Sequence, residues 1–166
     1  MREFICNTSP FQYLHQLGAL EILRDLTGGV IAPPSVQAEL DAGRRAGHEL
    51  PDLTRLDWVS LRRPQSTPVL PLAADLGPGE SAVLALALES SDACVILDDG
   101  LARRAASLLR LPFTGTLGLL IDGKHKGLIP AVAPLLDRLD ALRFRVSAAT
   151  RDAVLKLAGE TPSRQM

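Results

Sequence analysis

The stretch from residue 77 to residue 99 constrains the fold of this chain more than any other. It opens with Gly77-Pro78-Gly79-Glu80, continues through a run rich in Ala, Leu and Val to Glu89, and ends with the apolar segment 94–97. A Pro-Gly turn followed by strong helix formers predicts a helix that is apolar almost all round and therefore mostly buried. The short apolar run after it predicts a strand that is covered on both faces.

Two carboxylates, Asp98 and Asp99, stand directly after that strand. Ligands bind open α/β sheets at the carboxyl ends of the strands, so both acids are expected at a ligand-binding edge. Glu80, in the first turn of the preceding helix, is predicted near the same edge. The pattern thus predicts an acidic pocket supported by buried apolar elements.

Elsewhere the chain alternates short apolar runs with segments of helical spacing. Further strands are predicted at 3–6, 30–32, 58–61 and 112–115. Helices are predicted from Pro10 with a break at Gly18, from Pro33, and at 100–109, 116–125, 130–142 and 147–157. Residues 41–54 are expected to form an exposed loop or a frayed helix. This alternation predicts an α/β fold, with a mostly parallel sheet of four or five short strands flanked by helices.

Length and composition narrow the class of protein further. With 166 residues, the chain is expected to form one domain over 1–160, with a disordered tail at 161–166. The net charge of −1 gives no overall field that attracts nucleic acid, so such binding would depend on local basic patches. No basic-then-apolar leader opens the chain and no apolar run approaches 18 residues, so we expect a cytoplasmic protein with no membrane span. Cys6 and Cys94 are expected to be buried free thiols, with a disulfide between them as the alternative.

Polar residues recur where the predicted strands and helices meet. Asn7 follows the first strand, Glu39 lies on the helix after the second, and Glu80, Asp98 and Asp99 flank the central strand. If the strands are parallel, these side chains converge at one edge of the sheet. Clustered carboxylates raise one another's pKa unless a cation neutralises them, and hard oxygen ligands favour Mg²⁺ or Mn²⁺. One or two such ions can activate water for attack on a phosphodiester.

Several of these segments, in this order, resemble the PIN domains. Asn7-Thr8-Ser9 resembles the opening Asp-Thr-Ser of that family, and residues 36–40 resemble its Val-x-x-Glu-Leu helix. Residues 79–87 resemble its Ala-rich helix with an acidic start, and residues 95–99 resemble its strand ending in Asp. The Asn-Thr-Ser-Pro start, Gly-Pro-Gly-Glu and residues 114–118 are most similar to a branch of small prokaryotic proteins. The resemblance covers residues 4–125.

The resemblance implies a three-layer PIN-like fold and a ribonuclease that depends on Mg²⁺ or Mn²⁺. Carried over position by position, the catalytic residues would be Asn7, Glu39, Glu80 and Asp99. The metal ligands would be Glu39, Glu80 and Asp99, with Asp98 as a neighbour of Asp99 or a substitute for it, and Asn7 would also stand at a ligand position. Asn7 departs from the family, which usually has Asp there. An amide oxygen can still coordinate a hard cation, but it brings no charge and cannot act as a base, so weaker metal binding is expected.

Many PIN domains are toxin subunits that pair with a small antitoxin protein. The resemblance therefore implies RNA as the substrate and an antitoxin-like protein as a partner, and a homodimer is expected as well. The residues predicted to contact nucleic acid are Thr8, Ser9, Arg103, Arg104, Lys124 and Lys126. A second hypothesis is a weakened or inactive PIN-like module that binds nucleic acid or a protein.

Each candidate residue also has a structural interpretation. Glu80 can stabilise the start of its helix through the macrodipole, and Glu39 can lie on a solvated helix face. One of Asp98 and Asp99 can cap the following helix. Asn7 can brace its turn, and the cations can be ordinary surface charges. Thr8 and Ser9 can equally cap the first helix.

Overall fold

The structure is a computed structural model that describes residues 1–161. The predicted disordered tail lies outside the described residues, apart from Thr161, which is exposed. The chain divides into two compact units, Met1–Thr116 and Leu117–Met166. All the acidic candidates of the predicted site lie in the first unit.

The first unit contains a five-stranded sheet whose strands are all parallel, in the order β3-β2-β1-β4-β5. The strands are β1 (Glu3–Cys6), β2 (Val30–Ala32), β3 (Val59–Leu61), β4 (Ala93–Ile96) and β5 (Phe113–Thr114). The predicted α/β class, with a parallel sheet of five short strands flanked by helices, is confirmed.

Five helices of the first unit connect these strands. They are α1 (Thr8–Gln16), α2 (Glu21–Thr27), α3 (Pro34–Arg45), α4 (Pro78–Glu89) and α5 (Gly100–Leu108). Residues 83–87 in the centre of helix α4 are all buried, as its uniformly apolar sequence predicts. Gly18, with φ of +70°, lies in the predicted break between α1 and α2, where the left-handed conformation favours glycine.

Two local predictions were wrong. Helix α1 begins at Thr8 instead of Pro10, and Asn7 stands at its N-cap without a side-chain capping bond. Helix α3 continues to Arg45, into the segment predicted as a loop or frayed helix. Within the same segment Leu53 is buried, and its N–H donates to the side chain of Gln37 at 3.1 Å. This contact with α3 could not be recognised from local sequence patterns.

Strand register brings three chain segments to one edge of the sheet. Cys6 pairs with Ile96, and the next residue, Asn7, donates its N–H to the Ile96 carbonyl at 3.0 Å. On the other side of β4, the N–H of Leu97 donates to the Thr114 carbonyl at 2.9 Å. The residues that follow β1, β4 and β5 are therefore neighbours. Cys6 and Cys94 are buried free thiols, as predicted.

The second unit contains three helices: α6 (Thr116–His125), α7 (Ala133–Ala141) and α8 (Ala148–Leu157). The first residue of α6, Thr116, still belongs to the first unit. Glu160 joins its helices: the carboxylate accepts from Lys124 Nζ at 3.1 Å and from the N–H groups of Val132 and Ala133 at 2.7 and 3.1 Å. Over residues 1–161, none of the helices has both the length and the apolar character needed to cross a membrane.

Candidate functional site at the carboxyl edge of the sheet

Asn7, directly after β1, is a buried polar residue whose side-chain oxygen is unsatisfied. Its side chain is 5% exposed, and Oδ1 accepts no hydrogen bond from any described residue. Leaving a buried acceptor unpaired costs about 1–3 kcal/mol, which makes this oxygen a candidate ligand for a bound group.

Gly79, the second residue of α4, leaves room for two side-chain oxygens. A Cβ at this position would lie 2.8 Å from Glu39 Oε1 and 3.1 Å from Asn7 Oδ1. Both oxygens therefore surround one point beside the helix, which only a residue without a side chain leaves open. The sequence predicts that Asn7 and Glu39 converge, and the structure brings them together here.

Consecutive hydroxyls at the start of α1 orient two carboxylates. Thr8 Oγ1 donates to Glu39 Oε2 at 2.5 Å, and Ser9 Oγ donates to Asp98 Oδ2 at 2.8 Å. Because Thr8 and Ser9 are adjacent, the first turn of α1 links the acid of α3 to the acid that follows β4. Both hydroxyls thus act on carboxylates of the site.

Asp98 is held most tightly of the acids. Its Oδ1 accepts from the N–H of Thr116 at 2.7 Å, and its Oδ2 accepts from Thr116 Oγ1 at 2.7 Å in addition to Ser9. Gly115 permits this approach, because a Cβ there would lie 2.8 Å from Asp98 Oδ1. Burial raises the pKa of Tyr13, and the charge of Asp98 raises it further. The same two causes, in the same order, raise the pKa of Cys6.

Glu80 and Asp99 lie at helix N-termini. Glu80 Oε2 accepts from the N–H of Gly77 at 2.9 Å, at the start of its own helix. Asp99 is exposed, and its Oδ2 accepts from the N–H of Ala102 at 2.9 Å, which makes it the N-cap of α5. These are the helix-terminal roles that the sequence offers as alternatives.

The acids do not form one tight group. In the part of the chain that the structure describes, no three or more His, Cys, Asp or Glu side chains are placed to hold a metal ion together. The oxygens that come together are those of Asn7 and Glu39, and Asp98 is linked to them through Ser9 and Thr8. Within the same range, no Lys, Arg or His forms an ion pair with Glu39, Glu80, Asp98 or Asp99.

The predicted nucleic-acid contacts are placed in different ways. Arg103 lies over the ring of Phe113, with its guanidinium carbon 4.9 Å from the ring centroid. Arg104 and Lys126 are exposed. Lys124 forms an ion pair with Glu160 at 3.1 Å inside the second unit.

Sequence reasoning assigned no role to three residues that shape this edge. Gly79, Gly115 and Thr116 each lie within motifs that support the family resemblance, but it is the fold that brings them next to Asn7, Glu39 or Asp98. A Thr-Gly-Thr sequence after a strand was the available signal, because a hydroxyl and a free N–H at a strand end can bind a carboxylate.

Together the fold and these oxygens define a three-layer α/β domain with an acidic site at the carboxyl ends of β1 and β4. A family model described as a PIN domain matches residues 3–160, and the chain therefore belongs to the PIN-domain family. No curated protein and no solved structure matches the chain. PIN domains are generally nucleases that use divalent metal ions, so membership supports a nuclease module of the PIN type.

Proposed function

We propose that this protein is a metal-dependent ribonuclease that cleaves RNA phosphodiesters with the help of Mg²⁺ or Mn²⁺. The observation that carries the proposal is the buried, unpartnered Oδ1 of Asn7 beside Glu39 Oε1, in the space that Gly79 leaves open. A hard cation is a partner that an amide oxygen and a carboxylate oxygen can share.

The residues that would hold the ion are Asn7, Glu39 and Asp98. All three offer oxygen donors, and the two carboxylates have no protein cation beside them in residues 1–161. When bound, a divalent ion lowers the pKa of water and stabilises negative charge on the phosphodiester. With one neutral ligand of three, we expect the affinity to be lower than at an all-carboxylate site.

Glu39 is proposed to orient the attacking water beside the ion. Asn7 carries no negative charge to attract a proton of that water, and both oxygens of Asp98 already accept hydrogen bonds from Ser9 and Thr116. Glu39 accepts through Oε2 from Thr8, whereas its Oε1 accepts no hydrogen bond from the described residues. Ser9 and Thr116 fix Asp98, and Thr8 fixes Glu39, so that neither carboxylate must reorganise on binding.

The test compares two neighbouring acids in thermal unfolding and RNA cleavage with added Mn²⁺. Asp98→Asn is expected to abolish both the Mn²⁺-induced rise in Tm and cleavage. Asp99→Asn is the matched control, since Asn caps a helix as well as Asp does, and it should keep both. The reverse ranking would place the ligand at Asp99, as the family resemblance alone suggests. A wild-type chain that shows neither effect would contradict the proposal.

The same proposal extends to biological context. A PIN-type ribonuclease that serves as a toxin subunit would pair with a small antitoxin-like protein, and a homodimer would be its working form. Support comes from the family resemblance of the Asn-Thr-Ser-Pro branch. Induced expression in a bacterium should then arrest growth, and Glu39→Gln should relieve the arrest; equal arrest by both would contradict the toxin role.

A second candidate function is a catalytically weakened module that binds RNA or a protein. Two observations favour it: the neutral Asn7 at a position where the family usually has Asp, and no group of three or more metal-binding side chains within residues 1–161. This alternative predicts RNA or partner binding with no effect of Mn²⁺ on Tm. The thermal-unfolding comparison of wild type, Asp98→Asn and Asp99→Asn separates the two functions, because only the first proposal predicts a Mn²⁺-induced rise in Tm that Asp98→Asn loses.

A further inference from the structure

Phe113 is an exposed aromatic residue on the edge strand β5. It is 37% exposed, and the guanidinium of Arg103, from α5, lies over its ring. Arg103 forms no ion pair with any described residue, so its charge is available to a ligand. The stacked pair thus presents an exposed part of an aromatic ring and a guanidinium without an ion-pair partner at one place on the surface.

Strand pairing places this pair close to the acidic site. Phe113 pairs with Val95, and three residues later in each segment, just beyond the ends of β4 and β5, Thr116 donates to Asp98. At about 3.3 Å per residue of extended chain, Phe113 lies at most about 10 Å from Asp98 along the chain direction. Neighbouring nucleotides of one strand can span that separation.

The negative charge of the site makes additional RNA-binding groups necessary. Glu39 and Asp98 repel a phosphate backbone, and the net charge of −1 gives no general attraction to compensate. An RNA strand must therefore be held by groups beside the carboxylates. Single-stranded RNA is bound through bases stacked on aromatic rings and on guanidinium planes, combined with cation contacts to phosphate.

We infer that Phe113 and Arg103 form an RNA subsite in which the base of a nucleotide near the cleaved bond stacks on the exposed part of the Phe113 ring. Arg103 orients the ring and contacts the adjacent phosphate. The inference rests on the proposed ribonuclease function, because it assumes that RNA reaches Asp98. Base stacking is tolerant of sequence, so this subsite positions the strand without selecting a base.

Binding of a fluorescein-labelled single-stranded oligouridine, measured by anisotropy in EDTA, tests the subsite without cleavage. Phe113→Leu keeps an apolar side chain but removes the ring, and should weaken binding by about tenfold, in the lower part of the range for stacking on an aromatic side chain. Phe113→Tyr should bind within about twofold of wild type. Leu61→Ala, at a 44% exposed apolar residue on the opposite edge strand β3, is the matched control and should change nothing.

A base-deletion series identifies the stacked nucleotide. In a series of RNAs that each lack one base, one abasic position should lower the affinity of the wild type about tenfold relative to the intact RNA. The same RNA should bind Phe113→Leu as well as the intact RNA does. Equal affinities of wild type and Phe113→Leu, or losses that add independently at every position, would overturn the subsite, as would a wild type that binds no RNA. Cleavage with Mn²⁺ is scored separately: binding through Phe113 without cleavage overturns the ribonuclease proposal and leaves the subsite standing.

Discussion

At the scale of single residues, the site depends on an amide where a carboxylate would be usual. Asn7 is the one Asn of the 166 residues, and it stands at a buried position with its Oδ1 beside Glu39. A carboxylate there would add a third negative charge without a neutralising partner. The amide avoids that repulsion, and in exchange it contributes less to cation binding.

Asn7→Asp should therefore act in opposite directions with and without metal. In EDTA we expect Tm to fall by about 3–10 °C, because a buried carboxylate is added beside Glu39. With Mn²⁺ we expect a larger rise in Tm than wild type shows, and faster RNA cleavage. Thermal unfolding in both buffers measures the first two effects.

Gln37→Glu is the matched amide-to-acid control for that experiment. Gln37 donates to Asp41 and Asp52 and accepts from Leu53, away from the proposed ion. Its replacement should lower Tm equally with and without Mn²⁺. If Asn7→Asp behaved in the same way, Asn7 would not be at the metal position.

Gly79→Ala should disrupt metal binding at the site without changing the stability of the fold. Alanine favours helix over glycine by about 1 kcal/mol, and the new Cβ would meet mainly the flexible end of Glu39. We expect the free energy of unfolding in urea to stay within about 1 kcal/mol of wild type, while the Mn²⁺-induced rise in Tm and cleavage are lost. Gly100→Ala, in the first turn of α5 with open space around it, should keep both.

At the scale of elements, sequence patterns were sufficient to locate all five strands. The strand predictions succeeded because short apolar runs bounded by Gly, Pro and acids are local signals, as 94–97 shows. The site was harder, because a carboxylate at a strand end can face the pocket or cap the next helix. Asp98 faces the pocket because it accepts hydrogen bonds from Ser9 and Thr116, which are distant in sequence. Asp99 caps α5 because the backbone direction brings its carboxylate to the N–H of Ala102.

Glu160 connects helices of the second unit, and its carboxylate should make the free energy of unfolding depend on pH. Burial alone raises the pKa of Glu160, but hydrogen bonds from Val132 and Ala133, together with Lys124, outweigh it and hold the pKa below the ordinary value of 4.5. A lowered folded-state pKa means that the stabilisation is complete above pH 4.5 and is lost as pH falls through the folded-state pKa.

Glu160→Gln should consequently lower the free energy of unfolding by about 1 kcal/mol at pH 7, since Gln keeps an acceptor but loses the charge at the start of α7. The difference from wild type should shrink below pH 4.5. Urea unfolding at a series of pH values measures it. Asp152→Asn, at an exposed acid of α8, is the control, and an equal pH profile for both variants would contradict the argument.

At the scale of the whole molecule, the near-neutral charge makes RNA binding a local matter. Because the net charge of −1 gives no overall positive field, the salt dependence of RNA affinity should come from the local cations that contact phosphate. Each phosphate contact to single-stranded nucleic acid contributes about −0.7 to the slope of log affinity against log salt concentration.

Arg104→Gln should make that slope about 0.7 less steep if Arg104, exposed on α5, contacts a phosphate. Titrations of labelled oligouridine at several KCl concentrations measure the slope. Arg63→Gln, at an exposed residue before α4, is the control and should leave it unchanged. An unchanged slope for Arg104→Gln would remove this residue from the RNA-binding surface.

The central claim is that folding brings Asn7, Glu39 and Asp98 into position to share one divalent ion. Crystals grown with Mn²⁺ and measured for anomalous scattering test it directly, because the signal reports both the place and the occupancy of the ion. We predict a peak in contact with Asn7 Oδ1, Glu39 and Asp98. A peak bound elsewhere, or none at a Mn²⁺ concentration that supports cleavage, would contradict the claim.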